Sequence, residues 1–376
     1  MLIKRLTLKK ILSFKETTVD LGPLNVLIGA NAVGKSNLIE AISLLQAAPT
    51  GIEGQILRGG GVRQWLWLGD SDPAQLAEIE CELMLKRAPQ FSPLVYRLQF
   101  SHGILNEHLA RVGGASAEVY FDRRTKLVTF GRQAQSAVVT SNSSILAQVK
   151  SPIDTTPVTE VGNQFQWIQI FREFRTSFTS EARQGISTAE PKAFLTDGAG
   201  NLAQILQVMD ILGAHDRVKV YLKRFCDRFE DVKVDVGEGL ARTFLREAGL
   251  SDMLSSVRMS DGTLKFLCLL VVLFNPWGMS LVCIEEPELG LHPDALRLVA
   301  EMLVEASERT QLIITTHSEA LVDALSDRPE SVLVCERDFD NGTQFKRLAQ
   351  DELDEWLEHY TLGELWRKGE IGGGRW

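Results

Sequence analysis

The chain has 376 residues, 44% hydrophobic and 24% charged, a globular composition with core enough for about two to three domain-sized units or one large composite domain. Its net charge of −9 argues against a broadly basic nucleic-acid coat and leaves room only for a local basic face. The longest apolar run, Phe266 to Phe274, is nine residues, against the roughly 18 a membrane helix needs.

The opening Leu2 to Phe14 alternates apolar and polar residues and predicts a strand. Leu24 to Ile28 is continuously apolar, the mark of a strand buried on both faces. After Lys35, Leu38, Ile42 and Leu45 recur at helical spacing until Pro49 ends the pattern. Strand-like runs broken by turn residues from Ala77 to Phe130 predict an antiparallel β lobe. A Ser-, Thr- and Pro-rich stretch from Thr140 to Asn163 marks a boundary. Beyond it Leu202, Ile205, Leu206 and Met209 share one helical face, so Trp167 to Met253 reads as a mainly helical lobe. Strand candidates Leu281–Ile284, Leu312–Thr315 and Ser331–Cys335 then alternate with helical patterns, as in a parallel sheet. The expected division is 1–165, 166–258 (the helical lobe) and 259–376. The five cysteines, Cys81, Cys226, Cys268, Cys283 and Cys335, form no CxxC pair or Cys/His metal spacing, and the start has no signal-peptide pattern. Both features suit a reducing cytoplasm.

Gly29-Ala-Asn-Ala-Val-Gly34-Lys35-Ser36 sits between the apolar strand and the helix and fits GxxxxGK[ST] throughout. The glycines let successive backbone N–H groups turn inward toward phosphate oxygens, and the helix N-terminus adds its dipole. Lys35 brings a cation to the β- and γ-phosphates, and Ser36 a hydroxyl to Mg²⁺. Asn31 and Asn37 join Gly29 and Gly34 as expected nucleotide contacts. An apolar strand delivers Glu285 and Glu286 at its carboxyl end, where ligands sit in open parallel sheets. Neighbouring strand residues point to opposite sides, so Glu285 is expected in the Mg²⁺ shell and Glu286 on the attacking water. "LIITTHS" repeats the geometry and makes His317 a γ-phosphate contact. Ser260, Asp261 and Gly262 precede a long apolar helix.

In this order the motifs resemble those of ABC-type ATPases of the SMC, RecF and OLD branch, especially its compact bacterial members. The likeness runs along essentially the whole chain, from "IKRLTLKKILSFKETTVDLGPLNVLIG" through "EEPELGLHP" to the ending "YTLGELWRKGEIGGGRW". It implies an α/β P-loop NTPase fold: an ABC-ATPase head with an antiparallel β lobe and an inserted helical lobe. It also implies ATP with Mg²⁺ sandwiched in a homodimer, with Ser260 and Gly262 completing the partner's site. "LRGGGVRQWLWLGD" is similar to the arginine loop of SMC-type heads, which makes Arg58 a nucleotide-contacting cation. Gln166 or Gln169 supplies the metal-side glutamine, with Gln169 preferred. The sequence departs from the wider pattern in having Glu285 where transporters use Asp, Asp261 after the signature serine, and His292 in place of a later Asp.

The resulting expectation is an ATP-hydrolysing switch acting on a nuclease or other effector partner, or on DNA, in repair or phage defence. An autonomous nuclease has too little chain after Cys335, and a transporter subunit or small-molecule kinase suits the motifs less well. For DNA, Arg172, Arg175 and Arg183 offer charge, while Arg63, Trp65 and Trp67 offer a basic and aromatic surface or, alternatively, packing between lobes.

Overall fold

Five strands run parallel at the centre of the molecule, in the spatial order Ile168–Phe171, Leu281–Glu285, Gln311–Thr315, Leu24–Ile28 and Val332–Asp338. The computed structural model describes residues 2–69, 72, 74–85, 93–112, 118–131, 135–139, 143–149, 156–189 and 193–374. Of the boundary stretch, residues 140–142 and 150–155 lie outside those described. Successive side chains of a strand face opposite ways, so each parallel strand feeds two cores. Val26, Ile28, Val282, Ile284, Leu312 and Ile314 pack with the helices Leu202–Ile211, Asp261–Leu273 and Leu296–Ser307. Leu27, Leu281, Cys283, Ile313 and Leu333 pack with the helix Lys35–Ala47 on the other face. Burial on both sides explains why these strands read as unbroken apolar runs.

Past Val332–Asp338 the sheet changes sense. Gly342–Arg347 returns antiparallel, followed by Phe14–Asp20, Ile3–Ile11, Ala77–Leu83, Leu94–Ser101, Ile104–Arg111, Glu118–Arg124, Leu127–Phe130 and Gln135–Val138. Among the described residues this is one 14-stranded sheet that joins core and lobe. The opening stretch is a hairpin rather than one strand, turning at Leu12 in the left-handed region (φ 52°). The buried Gln311 amide ties lobe to core, accepting from Leu2 and Ile3 N–H at 3.1 and 2.9 Å and donating to the Ile3 and Gly22 carbonyls.

Inside the lobe, a carboxylate is fully enclosed. Glu107 accepts from Tyr96 Oη (2.9 Å), Ser144 Oγ (2.5 Å), the Ile145 N–H (2.8 Å) and Arg123 Nη1 (3.3 Å). Both members of the ion pair are almost wholly buried, with side chains 0% and 1% exposed.

The mainly helical reading of Trp167 to Met253 needs correction. Helices Leu202–Ile211 and His215–Phe225 are there, but so is an antiparallel hairpin, Phe229–Gly237 with Leu240–Glu247. Ile186–Ser187 and Leu254–Ser255 pair onto it. Glu238 and Gly239 both have positive φ (54° and 76°), as a tight two-residue hairpin turn requires. Val232 and Leu245 are its residues in the core against the neighbouring helices, so its apolar signal is weak for its length.

Candidate functional site

The carboxyl ends of the parallel strands lie side by side, since Leu27 registers with Thr315, Thr315 with Glu285, and Phe171 with Ile284. Three sequence-distant loops therefore open at one edge, as expected for ligand sites in parallel sheets. The Gly29–Ser36 loop is tightly walled. Gly29 has φ 147°, and a Cβ there would lie 2.3 Å from the Cys335 carbonyl oxygen. Gly34 has φ 113°, and its Cβ would strike Thr343 Oγ1 and Ser13 Oγ. No side chain fits at either position, which is the physical content of the two motif glycines. Thr343 Oγ1 also donates to the Val33 carbonyl at 2.6 Å, fastening the loop to the adjoining hairpin.

Lys35 is 6% exposed, and its Nζ donates to the Gly29 and Ala30 carbonyls at 2.8 and 2.9 Å. Burial lowers its pKa, opposed by the fields of Cys335, Glu286 and Glu288. The ammonium is thus a cation kept poorly solvated, which favours an anionic ligand. Ser36 Oγ donates to Glu285 Oε2 at 2.6 Å across 249 residues of sequence. A hydroxyl and a carboxylate oxygen so placed are the hard donors that Mg²⁺ selects. Asn37 borders a neighbouring cleft of about 750 Å³ with Ser13, Trp67 and Arg337. Asn31 is exposed on the loop itself.

Glu286 follows in the left-handed region (φ 47°), which is costly for a residue with a side chain, and its N–H donates to the Thr315 carbonyl at 2.9 Å. The turn separates its side chain from that of Glu285. His317 stands two residues past Thr315, its N–H donating to Glu288 Oε1 at 2.8 Å, while Thr316 Oγ1 donates to the same oxygen at 2.7 Å. Burial pushes the Glu288 carboxyl above its usual range, against the hydrogen bonds it accepts from the His317 N–H and the Thr316 hydroxyl.

Ser260 caps the helix Asp261–Leu273, its Oγ accepting from the Thr263 N–H at 3.1 Å. It is exposed. Gly262 packs near the Gly290 carbonyl, where a Cβ would stand 3.1 Å away.

The structure does not bring every expected residue to this edge. Gln169 pairs with Val282, three residues before Glu285, and lines a cleft with Ser43, Gln46 and Arg172, so it stands back from the strand ends. Arg172 takes the place beside Glu285, with Nε 3.3 Å from Glu285 Oε1 and Nη2 2.7 Å from Glu40 Oε1. Arg58 hydrogen bonds to Gln55 Oε1 at 2.7 Å and lines a cleft with Ser43, Gln46, Gln169 and Arg172, beside the Lys35–Ala47 helix rather than at the phosphate loop. The basic surface proposed for DNA is also dismantled. Arg183 is 5% exposed, its guanidinium donating to the Thr176, Ser256, Val257 and Met259 carbonyls and to Asp261 Oδ1. Arg172 and Arg175 are both exposed, but Arg172 is engaged by two carboxylates. Trp65 and Trp67 are 1% and 7% exposed, so they pack between elements and present no stacking surface.

A family model described as "AAA domain, putative AbiEii toxin, Type IV TA system" matches residues 24–77 and 166–323, more than half of the chain. The "Old nuclease" of Escherichia phage P2 is 22% identical over 375 residues, covering 91% of this chain and 60% of that protein. The chain thus spans about 60% of that relative's length. Two solved structures share the fold. One is the SmcHead bound to the C-winged helix domain of ScpA, with TM-score 0.59, 14% identity, and coverage of 93% of this chain and 99% of that one. The other is an Smc head domain with an extended coiled coil bound to the C-terminal domain of ScpA derived from Pyrococcus furiosus, with TM-score 0.55, 12% identity, and coverage of 95% and 98%.

Proposed function

The chain belongs to this AAA-domain family, an SMC- and OLD-like group of ATPases with the Smc-head fold, and from that premise we propose that it binds and hydrolyses ATP as a homodimeric switch. The observation that carries the reading is the 2.6 Å contact between Ser36 and Glu285, with Lys35 and the phosphate-loop glycines alongside. A random glycine turn has no reason to meet a carboxylate 249 residues away at the carboxyl end of a neighbouring strand. Ser36 and Glu285 would hold Mg²⁺, which supplies charge neutralisation to the phosphates. Lys35 and the loop N–H groups bind and orient the triphosphate. Glu286 accepts the proton of the attacking water, and His317 contacts the γ-phosphate. Ser260 and Gly262, at an exposed helix N-terminus, would reach the nucleotide of a second copy. Binding then favours the closed pair because those contacts exist only with nucleotide between the copies. Such a switch would act through an effector partner, a nuclease among the candidates, or through DNA.

Glu286→Gln tests this. The variant is expected to bind ATP, to turn over about 10²–10⁴-fold more slowly, as for loss of a general base, and to accumulate as a dimer in light scattering. Monomer alone with ATP bound would refute the sandwich. Wild-type protein that neither binds nor hydrolyses ATP would end the whole reading. Mg²⁺-dependent plasmid cleavage by the pure protein would favour an autonomous nuclease instead.

A further inference from the structure

Resting on that reading of the nucleotide site, the geometry points to Glu288 as the positioning residue of His317. One oxygen of its carboxyl group, Oε1, receives both the Thr316 hydroxyl (2.7 Å) and the His317 N–H (2.8 Å). Those two bonds fix the turn that carries the imidazole past the end of Gln311–Thr315.

Glu288 also belongs to the turn that carries Glu286. The Leu289 N–H donates to the Glu286 carbonyl at 3.1 Å, and the Leu291 N–H to the Glu288 carbonyl at 3.0 Å, a tight turn containing Pro287. The Glu286 N–H reaches back to the Thr315 carbonyl at 2.9 Å. The water-activating carboxylate and the imidazole are therefore joined twice, once through the backbone and once through the Glu288 side chain. A shift of either turn moves the other.

The second oxygen, Oε2, is buried and has no hydrogen-bond partner among the described residues. Leaving a buried polar atom unpaired is costly. The charged groups acting on Glu288 include Glu286, and Lys35 feels Glu288 in turn. Burial raises the Glu288 pKa, and Oε1 serves as the acceptor of both bonds. A glutamine reproduces that arrangement: its carbonyl accepts the same two bonds, and its NH₂ stands where Oε2 is.

The test compares affinity for a non-hydrolysable ATP analogue with that for ADP, both with Mg²⁺, by titration calorimetry. Wild type is expected to prefer the triphosphate. Glu288→Ala lowers that preference about tenfold, the worth of a lost hydrogen bond to a charged group, and His317→Ala does the same. The double variant adds little, because both changes remove one interaction. Glu288→Gln restores the preference to within about threefold of wild type, and Thr316→Val, which removes one of the two bonds, falls between. Additive losses, or a Glu288→Ala that keeps its preference while His317→Ala loses it, would overturn the assignment. A Glu288→Gln as impaired as the alanine variant would overturn it too. If Glu288→Ala fails to fold, the glutamine and Thr316→Val arms still decide. Wild-type protein that binds no triphosphate would instead overturn the nucleotide reading on which this one stands.

Discussion

Two buried carboxyl groups invite comparison, Glu107 in the β lobe and Glu288 at the end of the parallel sheet. Glu107 is wholly enclosed, yet four donors occupy its two oxygens, one of them the buried Arg123 guanidinium. Glu288 gives one oxygen to two donors and leaves the other without a partner among the described residues. Burial drives both pKa values up, so burial alone does not tell a structural acid from a functional one. Saturation does. A group whose lone pairs are all occupied specifies a fold, whereas one held short of that is available to a ligand or a neighbouring loop.

The comparison breaks most readily at Glu107. Glu107→Ala strands a buried guanidinium and is expected to cost about 3–5 kcal/mol, read from the denaturant midpoint, with nucleotide affinity of the folded protein hardly changed. A loss below about 1 kcal/mol would mean that saturation matters little. Next comes Arg183→Met, which strips four carbonyls of a donor just ahead of the Ser260 cap. It should cost about 1–3 kcal/mol and reduce ATP-driven dimerisation in light scattering, while a single chain's nucleotide affinity stays as it was.

Lys35→Met should sharpen the contrast by separating function from stability. Nucleotide affinity should fall about 10–100-fold, as for loss of charged hydrogen bonds, with no loss of stability. The sign follows from the lowered pKa: between that value and the ordinary 10.5 the unfolded chain holds the extra proton, so wild-type stability rises with pH across that window. The methionine variant should flatten this rise in thermal melts taken from pH 7 to 10.5. The smallest effect belongs to Arg172→Gln. Its side chain is 47% exposed, so stability should move by less than about 1 kcal/mol. Freed of its cationic neighbour, Glu285 should reach half-maximal ATPase activity at a lower Mg²⁺ concentration.

Legibility in the sequence followed the range of the interaction. The phosphate loop, the Glu285–Glu286 pair and the His317 turn could be read because each is an apolar strand followed at once by the residues it delivers. The hairpin at Phe229–Glu247 was hidden because it puts few residues in the core. Arg183 looked like surface charge, since no local pattern separates a solvated arginine from one that also reaches the Ser256, Val257 and Met259 carbonyls, 73 to 76 residues away. Gln169 looked like a ligand because a glutamine on a strand gives no hint of how far it stands from the strand's end in its neighbour's register. Glu288 could have been noticed as a third acid two residues past Glu286, but its role depends on Thr316 and His317.

The sequence by itself determined that an apolar parallel sheet ends in the Gly29–Ser36 loop, with acids and a histidine at its edge. Strand burial and loop chemistry are local, and a few adjacent residue types suffice to encode them. Tertiary structure decided which charges are spent on the fold and which remain available. Arg172 meets Glu285, Arg183 meets the carbonyls before Ser260, and Glu288 meets His317 only once strand register has brought distant loops together. Pairing, unlike pattern, depends on what lies across the gap.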